Sequence, residues 1–241
     1  MNLFLRILSQ GLQAFIPVGV ALAWYDRHHD SAAASAVRRG LILSIPLTVL
    51  GGWAFQRSTS QARVETLFAI VVAVIAAAFV RDTWRGDGRE SPALGNVGVP
   101  LIVAAAALIV VRQTQVASPV LWTALVELRS GATTIVILAG LLLAMCAAIA
   151  WMWVGRRASL DRLRAGTRVF GLGFFVQVCL FGLHEATETG WLPWSEILHA
   201  ATEPYGPDGR YGVYLSALLL VVALAALASP ARVHRHINPN P

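Results

Sequence analysis

Seven stretches of the chain are apolar over most of their length: residues 4–25, 40–56, 64–80, 98–126, 131–154, 167–185 and 211–228. Each lies near the roughly 20 residues that carry a helix across about 30 Å of hydrocarbon. Polar residues collect between these stretches and do not alternate within them. The pattern predicts an all-α fold of seven transmembrane helices in a single integral membrane domain, residues 1–241. The second and third spans are short, and the fourth is too long for a straight crossing. Pro17 lies inside the first span and Pro119, after Ser118, inside the fourth. Proline removes a backbone donor and crowds the preceding turn, so a kink or break is expected at both. The opening segment also has the outline of a signal peptide, with Arg6, an apolar stretch and Ala21-Leu22-Ala23. Ser9, Gln10 and Gln13 interrupt what should then be its most apolar part, and the segment is read as the first helix.

Composition agrees with this pattern. Of 241 residues 56% are hydrophobic and 13% charged, about half the roughly 25% charge of a soluble domain. Mean hydropathy is +0.63. A disordered chain, a coiled coil and an ordinary soluble enzyme are excluded. The formal net charge of +6 comes from nineteen basic residues, all of them arginine. They cluster between the spans and form no basic stripe interleaved with aromatics, which argues against a nucleic-acid partner and for membrane lipid. With the N-terminus outside, the inner segments hold thirteen arginines: Arg27, Arg38, Arg39, Arg81, Arg85, Arg89, Arg156, Arg157, Arg162, Arg164, Arg168, Arg232 and Arg235. The outer segments hold five, Arg6, Arg57, Arg63, Arg129 and Arg210. This bias predicts an N-out, C-in protein of the cytoplasmic (inner) membrane. Trp24, Trp53, Trp84, Trp191 and Trp194 fall near span ends, where amphipathic rings favour the interface. Cys146 and Cys179 sit deep in apolar runs without metal-ligand spacing and read as small hydrophobes.

Polar groups inside the spans are where chemistry is expected, because burying them in lipid is costly. Arg112 lies near the middle of the fourth span, followed by Gln113, Thr114 and Gln115. Two readings are open: a broken helix whose guanidinium reaches water, or a buried ion pair with Glu65 or Glu185. Gln10 and Gln13 share a face of the first helix at i, i+3, with Gly11 allowing close approach of another helix. They serve either as helix–helix glue, at about 0.6 kcal/mol per contact, or as a polar lining. At the outer end of the sixth span stand His184, Glu185 and Glu188. They form either a hard-cation site of oxygens plus one imidazole or a capped, hydrated helix end. The loop from Glu185 to Arg210 is acidic, a local balance of −4, with turn signals at Gly190-Trp191-Leu192-Pro193 and Tyr205-Gly206-Pro207-Asp208-Gly209. It either concentrates cations at a mouth or is simply solvated. Finally, Gln10-x-x-Gln13-Ala14 before Pro17 parallels Arg112-Gln113-x-x-Val116-Ala117 before Pro119. Copies three helices apart run in opposite directions, the plan of an inverted-repeat transporter with substrate near the midplane. No Ser/His/Asp set, zinc motif or phosphate loop is present, so no enzymatic activity is expected.

These residues resemble the high-affinity iron permeases, the oxidase-dependent iron transporters of fungi and bacteria. The strongest stretch runs from Gly155-Arg156-Arg157 through Gly182-Leu183-His184-Glu185-Ala186-Thr187-Glu188 to Gly190-Trp191-Leu192-Pro193. It is similar to the family's basic loop, sixth helix and His-Glu then Gly-x-x-Pro ending. Residues 61–85 are similar to its third helix. The resemblance implies seven helices, N-out and C-in, a 3+3 repeat plus one, and Arg-Glu-x-x-Glu motifs in helices one and four. Here those positions read Ser9-Gln10-Gly11-Leu12-Gln13 and Arg112-Gln113-Thr114-Gln115-Val116. One arginine remains, three glutamates are replaced by Gln10, Gln13 and Gln113, and the fourth by Val116. In the third helix Ala69 stands at a family glutamate, with Glu65 one turn earlier. A glutamine keeps the shape and an oxygen donor but loses the charge, and dehydrating Fe³⁺ requires compensating charge. Glu65, Glu185 and Glu188 are the carboxylates left to supply it.

The resulting expectation is translocation of iron or another metal cation across the membrane, with iron as the candidate transported ion and no cofactor identified from the sequence. The pathway is Gln10, Gln13, Arg112, Gln113 and Glu65, and the outer metal ligands are His184, Glu185 and Glu188. The resemblance also implies an outer partner, a copper ferroxidase in fungi or a periplasmic iron-binding protein in bacteria. The alternative expectation is a non-transporting relative, an integral subunit or anchor of a larger membrane complex, which the lost carboxylates favour.

Overall fold

The computed structural model describes residues 3–85, 98–122, 131–193, 195–205, 209 and 211–228; of 85, 114–122 and 213 it describes the backbone alone. The described residues form α1 (Leu3–Arg27), α2 (Ser31–Arg57), α3 (Gln61–Arg85), α4 (Val99–Trp122), α5 (Gly131–Arg157), α6 (Leu160–Glu188), α7 (Glu196–Thr202) and α8 (Gly212–Ala228). A 3₁₀ turn, Glu203–Tyr205, follows α7. No strand occurs among them. Five helices, α1, α2, α3, α5 and α6, are long and apolar enough to cross a membrane; the apolar stretches Val99–Gln113 and Tyr214–Ala228 are shorter. The molecule is an all-α, membrane-embedded protein.

The long helices overrun the apolar stretches because backbone hydrogen bonding continues past the hydrocarbon. Thus α2 starts at Ser31, nine residues before the apolar run, with Asp30 capping it by accepting from the Ala33 amide at 2.9 Å. α1 runs unbroken through Pro17, and α4 through Pro119. The expected break is therefore absent in both, and at Pro17, which is buried in α1, packed neighbouring helices tolerate the proline. Pro17 does leave the Gln13 carbonyl without its intrahelical donor.

α1 is the central helix. Its span is 83% buried, against 22% for α3, and α2, α3 and α5 present rows such as Ile42, Ile45, Val49 and Ile135, Leu138, Leu142 outward as a lipid-facing surface. The most extensive pairings are α1 with α5, α2 with α4 and α3 with α6. Small residues make them possible. A Cβ on Gly11 would lie 2.7 Å from Ala144 Cβ, and one on Gly40 would meet the Val103 carbonyl and lie 2.7 Å from Ala106 Cβ.

One end of the bundle is fastened by arginines. Asp26 receives Arg38 and Arg156, each at 2.9 Å. Arg27 donates to the Ala158 carbonyl at 3.0 Å, and Arg168 to the Thr83 carbonyl at 2.8 and 3.0 Å. α1 closes there with a Schellman turn, Asp30 N–H to Tyr25 O at 3.1 Å, which puts His29 at φ +55°. Trp53, Trp84 and Trp191 are exposed near helix ends as expected, but Trp24 is packed inside, 1% exposed, against His28 at 4.0 Å. Its position on central α1 overrides any interfacial preference. Trp194, Arg89, Arg129, Arg210, Arg232, Arg235 and the turn at 206–208 lie outside the described residues, as do the side chains of Arg85, Thr114, Gln115, Val116 and Ala117.

Candidate functional site

Two polar clusters interrupt the apolar bundle. The first lies where α1 crosses α4. The i, i+3 spacing of Gln10 and Gln13 turns both amides toward α4, while Gly11, a hundred degrees away, meets α5. Gln113 of α4 donates one hydrogen to Gln10 Oε1 and the other to Gln13 Oε1, both at 2.8 Å. Its own Oε1 accepts from Arg112. Gln13 Nε2 donates onward to Ser216 Oγ at 2.9 Å, and Gln177 Nε2 does so at 3.0 Å. Ser9 Oγ approaches the same oxygen at 3.4 Å, and the Ser216 hydroxyl donates to the Gly212 carbonyl at 3.2 Å. Four helices (α1, α4, α6 and α8) are tied by one network, and Gln10, Gln13 and Gln113 are each at most 5% exposed. The gap bounded by Gln13, Arg112, Gln177, Phe181 and Tyr205 has no room for a water molecule.

Arg112 is equally buried, so the guanidinium does not reach water. It lies 4.3 Å over the Phe181 ring. The carboxylates whose charge acts on it are Glu65 and Glu185. Glu185 turns inward from α6 and stands within hydrogen-bonding reach of Glu65 on α3. Among the described residues, Arg112 Nε and Nη2 and Gln177 Oε1 find no hydrogen-bond partner. Ala69, the position matched to a family glutamate, is fully buried against Phe181.

The second cluster lies at the bundle end opposite the arginines. α6 ends at Glu188, Gly190 takes φ +71° in the turn, and Ser195 caps α7 by accepting from the Leu198 amide at 3.3 Å. This folds α7 back over the end of α6. His184 Nε2 then faces Glu188 Oε1 at 3.5 Å, and His199 Nδ1 approaches the same oxygen at 3.9 Å. The two imidazoles lie 4.6 Å apart, nearly parallel. Thr202 Oγ1 contacts His184 Nδ1 at 3.1 Å.

The structure therefore brings Gln10, Gln13, Gln113 and Arg112 together, with Glu65 beside Arg112. Of the three residues expected to ligate at the outer end it brings His184 and Glu188 together. Glu185 is separated from them, on the inner face with Glu65. Gln177, Ser216, His199 and Thr202 are additions that sequence reasoning missed. Gln177 and Ser216 are polar residues inside apolar spans and carry the same signal as Gln10. Ser195-Glu196 is a helix-start signature that would have placed His199 on a helix. Comparison with protein-family models, with curated proteins and with solved structures gives no match to this chain.

Proposed function

We propose that this protein moves a metal cation across the cytoplasmic membrane in the manner of the iron permeases its sequence resembles, with iron as the first ion to test. The observation that carries the reading is the meeting of Gln10, Gln13 and Gln113 in the buried crossing of α1 and α4. Those are the positions at which the resemblance puts the ion-binding glutamates. Their amide oxygens are neutral ligands, and the Glu65–Glu185 pair, which holds one proton between its two carboxyls when they hydrogen-bond, supplies a single negative charge, offset by Arg112. In this reading the structure is a closed state, and the α7 end is its outer mouth, where an iron-binding or ferroxidase partner would deliver the ion.

The helix pairings support a 3+3 inverted repeat plus α8. Exchanging α1 with α4, α2 with α5 and α3 with α6 turns the α1–α5 pair into α4–α2 and leaves α3–α6 unchanged, and these three are the dominant pairings. The seventh crossing and the N-out, C-in orientation belong to the same reading.

A second reading, a non-transporting integral subunit or anchor, is favoured by one observation. The three α1 and α4 amides satisfy one another and Ser216, and the hydrogen bonds described for them go to no carboxylate. Radiolabelled iron uptake in cells lacking their own high-affinity system separates the two. Uptake by the native chain, lost in Gln113→Leu and Arg112→Ala, supports transport. Absence of uptake by the well-expressed native chain, with uptake gained by a variant carrying Gln10→Glu, Gln13→Glu, Gln113→Glu and Val116→Glu, makes the subunit reading the better one.

A further inference from the structure

His184, Glu188 and His199 each offer one ligand atom, and these atoms all lie within 4.8 Å of one another. Ligands of a tetrahedral ion at bond lengths near 2.0–2.1 Å are about 3.3 Å apart. The His184–Glu188 and Glu188–His199 separations of 3.5 and 3.9 Å are already close to that. The near-parallel rings must converge for all three atoms to reach one ion. The side chain of Glu188 is 41% exposed and that of His199 24%, while His199 Nδ1 itself is covered, so the open side of the cluster is that of the carboxylate.

The Thr202 hydroxyl has carbonyl acceptors on α7, Leu198 O at 2.8 Å and His199 O at 3.2 Å, and assigning its hydrogen there sets one tautomer of His184. Thr202 Oγ1 is therefore the acceptor for His184 Nδ1–H at 3.1 Å. The Nε2 lone pair is left pointing at a carboxylate oxygen 3.5 Å away. In that tautomer two electron-rich atoms stand face to face, an arrangement a cation between them satisfies. An N–H donated by the far side of a ligating imidazole is also the usual means of orienting it.

We propose that His184 Nε2, His199 Nδ1 and the Glu188 carboxylate form a capture site for a divalent transition-metal ion. Two neutral imidazoles and one carboxylate suit the borderline ions Zn²⁺, Fe²⁺ or Co²⁺ better than Fe³⁺, which prefers anionic oxygen. Water completes the fourth position on the open side, where the ion can exchange. Glu185, one residue along but a hundred degrees round the helix, is not a ligand. The site deepens the transport reading, on which it rests for what the ion does next.

The test uses the full chain, purified with its affinity tag removed, and Co²⁺ as the probe. Visible absorption bands report the ligand field and Zn²⁺ serves as competitor. One Co²⁺ per chain is expected, displaced by Zn²⁺. His199→Ala and Glu188→Gln should each weaken binding at least about 10-fold, and Thr202→Val about 10-fold through the lost orientation of His184. Glu196→Gln, an exposed carboxylate in the first turn of α7, should leave it unchanged. Matching elution profiles establish that the variants are folded. Failure to bind Co²⁺ above the level of a His184→Ala/His199→Ala double variant, or equal binding by all variants, overturns the proposal. Binding that persists in Gln113→Leu while uptake is lost supports both the site and the pathway. Uptake by a native chain that binds no Co²⁺ removes the site and leaves the pathway.

Discussion

At Gln113 a single side chain spends both amide hydrogens on α1. Replacing it with leucine keeps the bulk and leaves two buried carbonyl oxygens without that donor. Interhelical hydrogen bonds in membranes are worth about 0.6 kcal/mol each, and stranded acceptors cost more, so Gln113→Leu should destabilise by roughly 1–3 kcal/mol. Gln177→Leu should cost less, under about 1 kcal/mol, because it removes one donated bond and also a carbonyl oxygen that has no partner among the described residues. Thermal unfolding of the two variants in one detergent checks the order. The amides of α1 were legible in the sequence because polar atoms in an apolar run stand out. Their partners were less so, since Gln177 and Ser216 are far away in sequence and periodicity does not say which helices meet. Glu185 illustrates a subtler limit. Both Glu185 and His184 lie near Glu188 on the helix surface, but four residues bring His184 to within about 40° of it, against about 60° for Glu185.

Helix boundaries followed from hydropathy to within a few residues at most apolar ends and fell short where the ends are charged, as at Ser31–Arg39 of α2. The short α7 was hidden because seven residues give too little periodicity to register against the turn signals on either side. Without it His199 reads as a loop residue, and half of the imidazole pair is lost. Two predictions belong to this level. His29 is exposed and held at φ +55°, where a Cβ is strained, so His29→Gly should stabilise the α1–α2 corner by up to about 1 kcal/mol. The second contrasts two glycines of α2. Gly40→Ala pushes against the backbone of α4 and should lower stability by about 1–3 kcal/mol. Gly52→Ala meets nothing within 4 Å and should be neutral or raise it by up to about 1 kcal/mol. Melting temperatures in detergent read out all three.

For the whole molecule, the arginine count becomes a statement about sidedness. Asp26, Arg38, Arg156 and Ser159 belong to one end, and α7 with the imidazole pair to the other. On a background in which Cys146 and Cys179 are replaced by serine, a cysteine at Ser159 should react with a membrane-impermeant maleimide only after the cells are opened. A cysteine at Ala200 should react in intact cells. The reverse pattern would invert the orientation and turn the α7 end toward the cytoplasm.

The polar network described above also has a history in time. Gln13 and its partner Ser216 are 203 residues apart, and at synthesis rates of about 5–20 residues per second α1 precedes α8 by on the order of 10 to 40 s. For about the first half of that interval α1 carries both amides into lipid before Gln113 exists, and for all of it Gln13 lacks Ser216. A chain arrested before α8 would keep Gln13 and Gln177 without their common acceptor, a defect open to the cell's quality control. Stopping translation after residue 205 should therefore shorten the protein's lifetime in a pulse–chase measurement, and Ser216→Ala in the full chain should do so to a smaller degree. Completion of the network is then the molecular sign that α1, α4, α6 and α8 have come together.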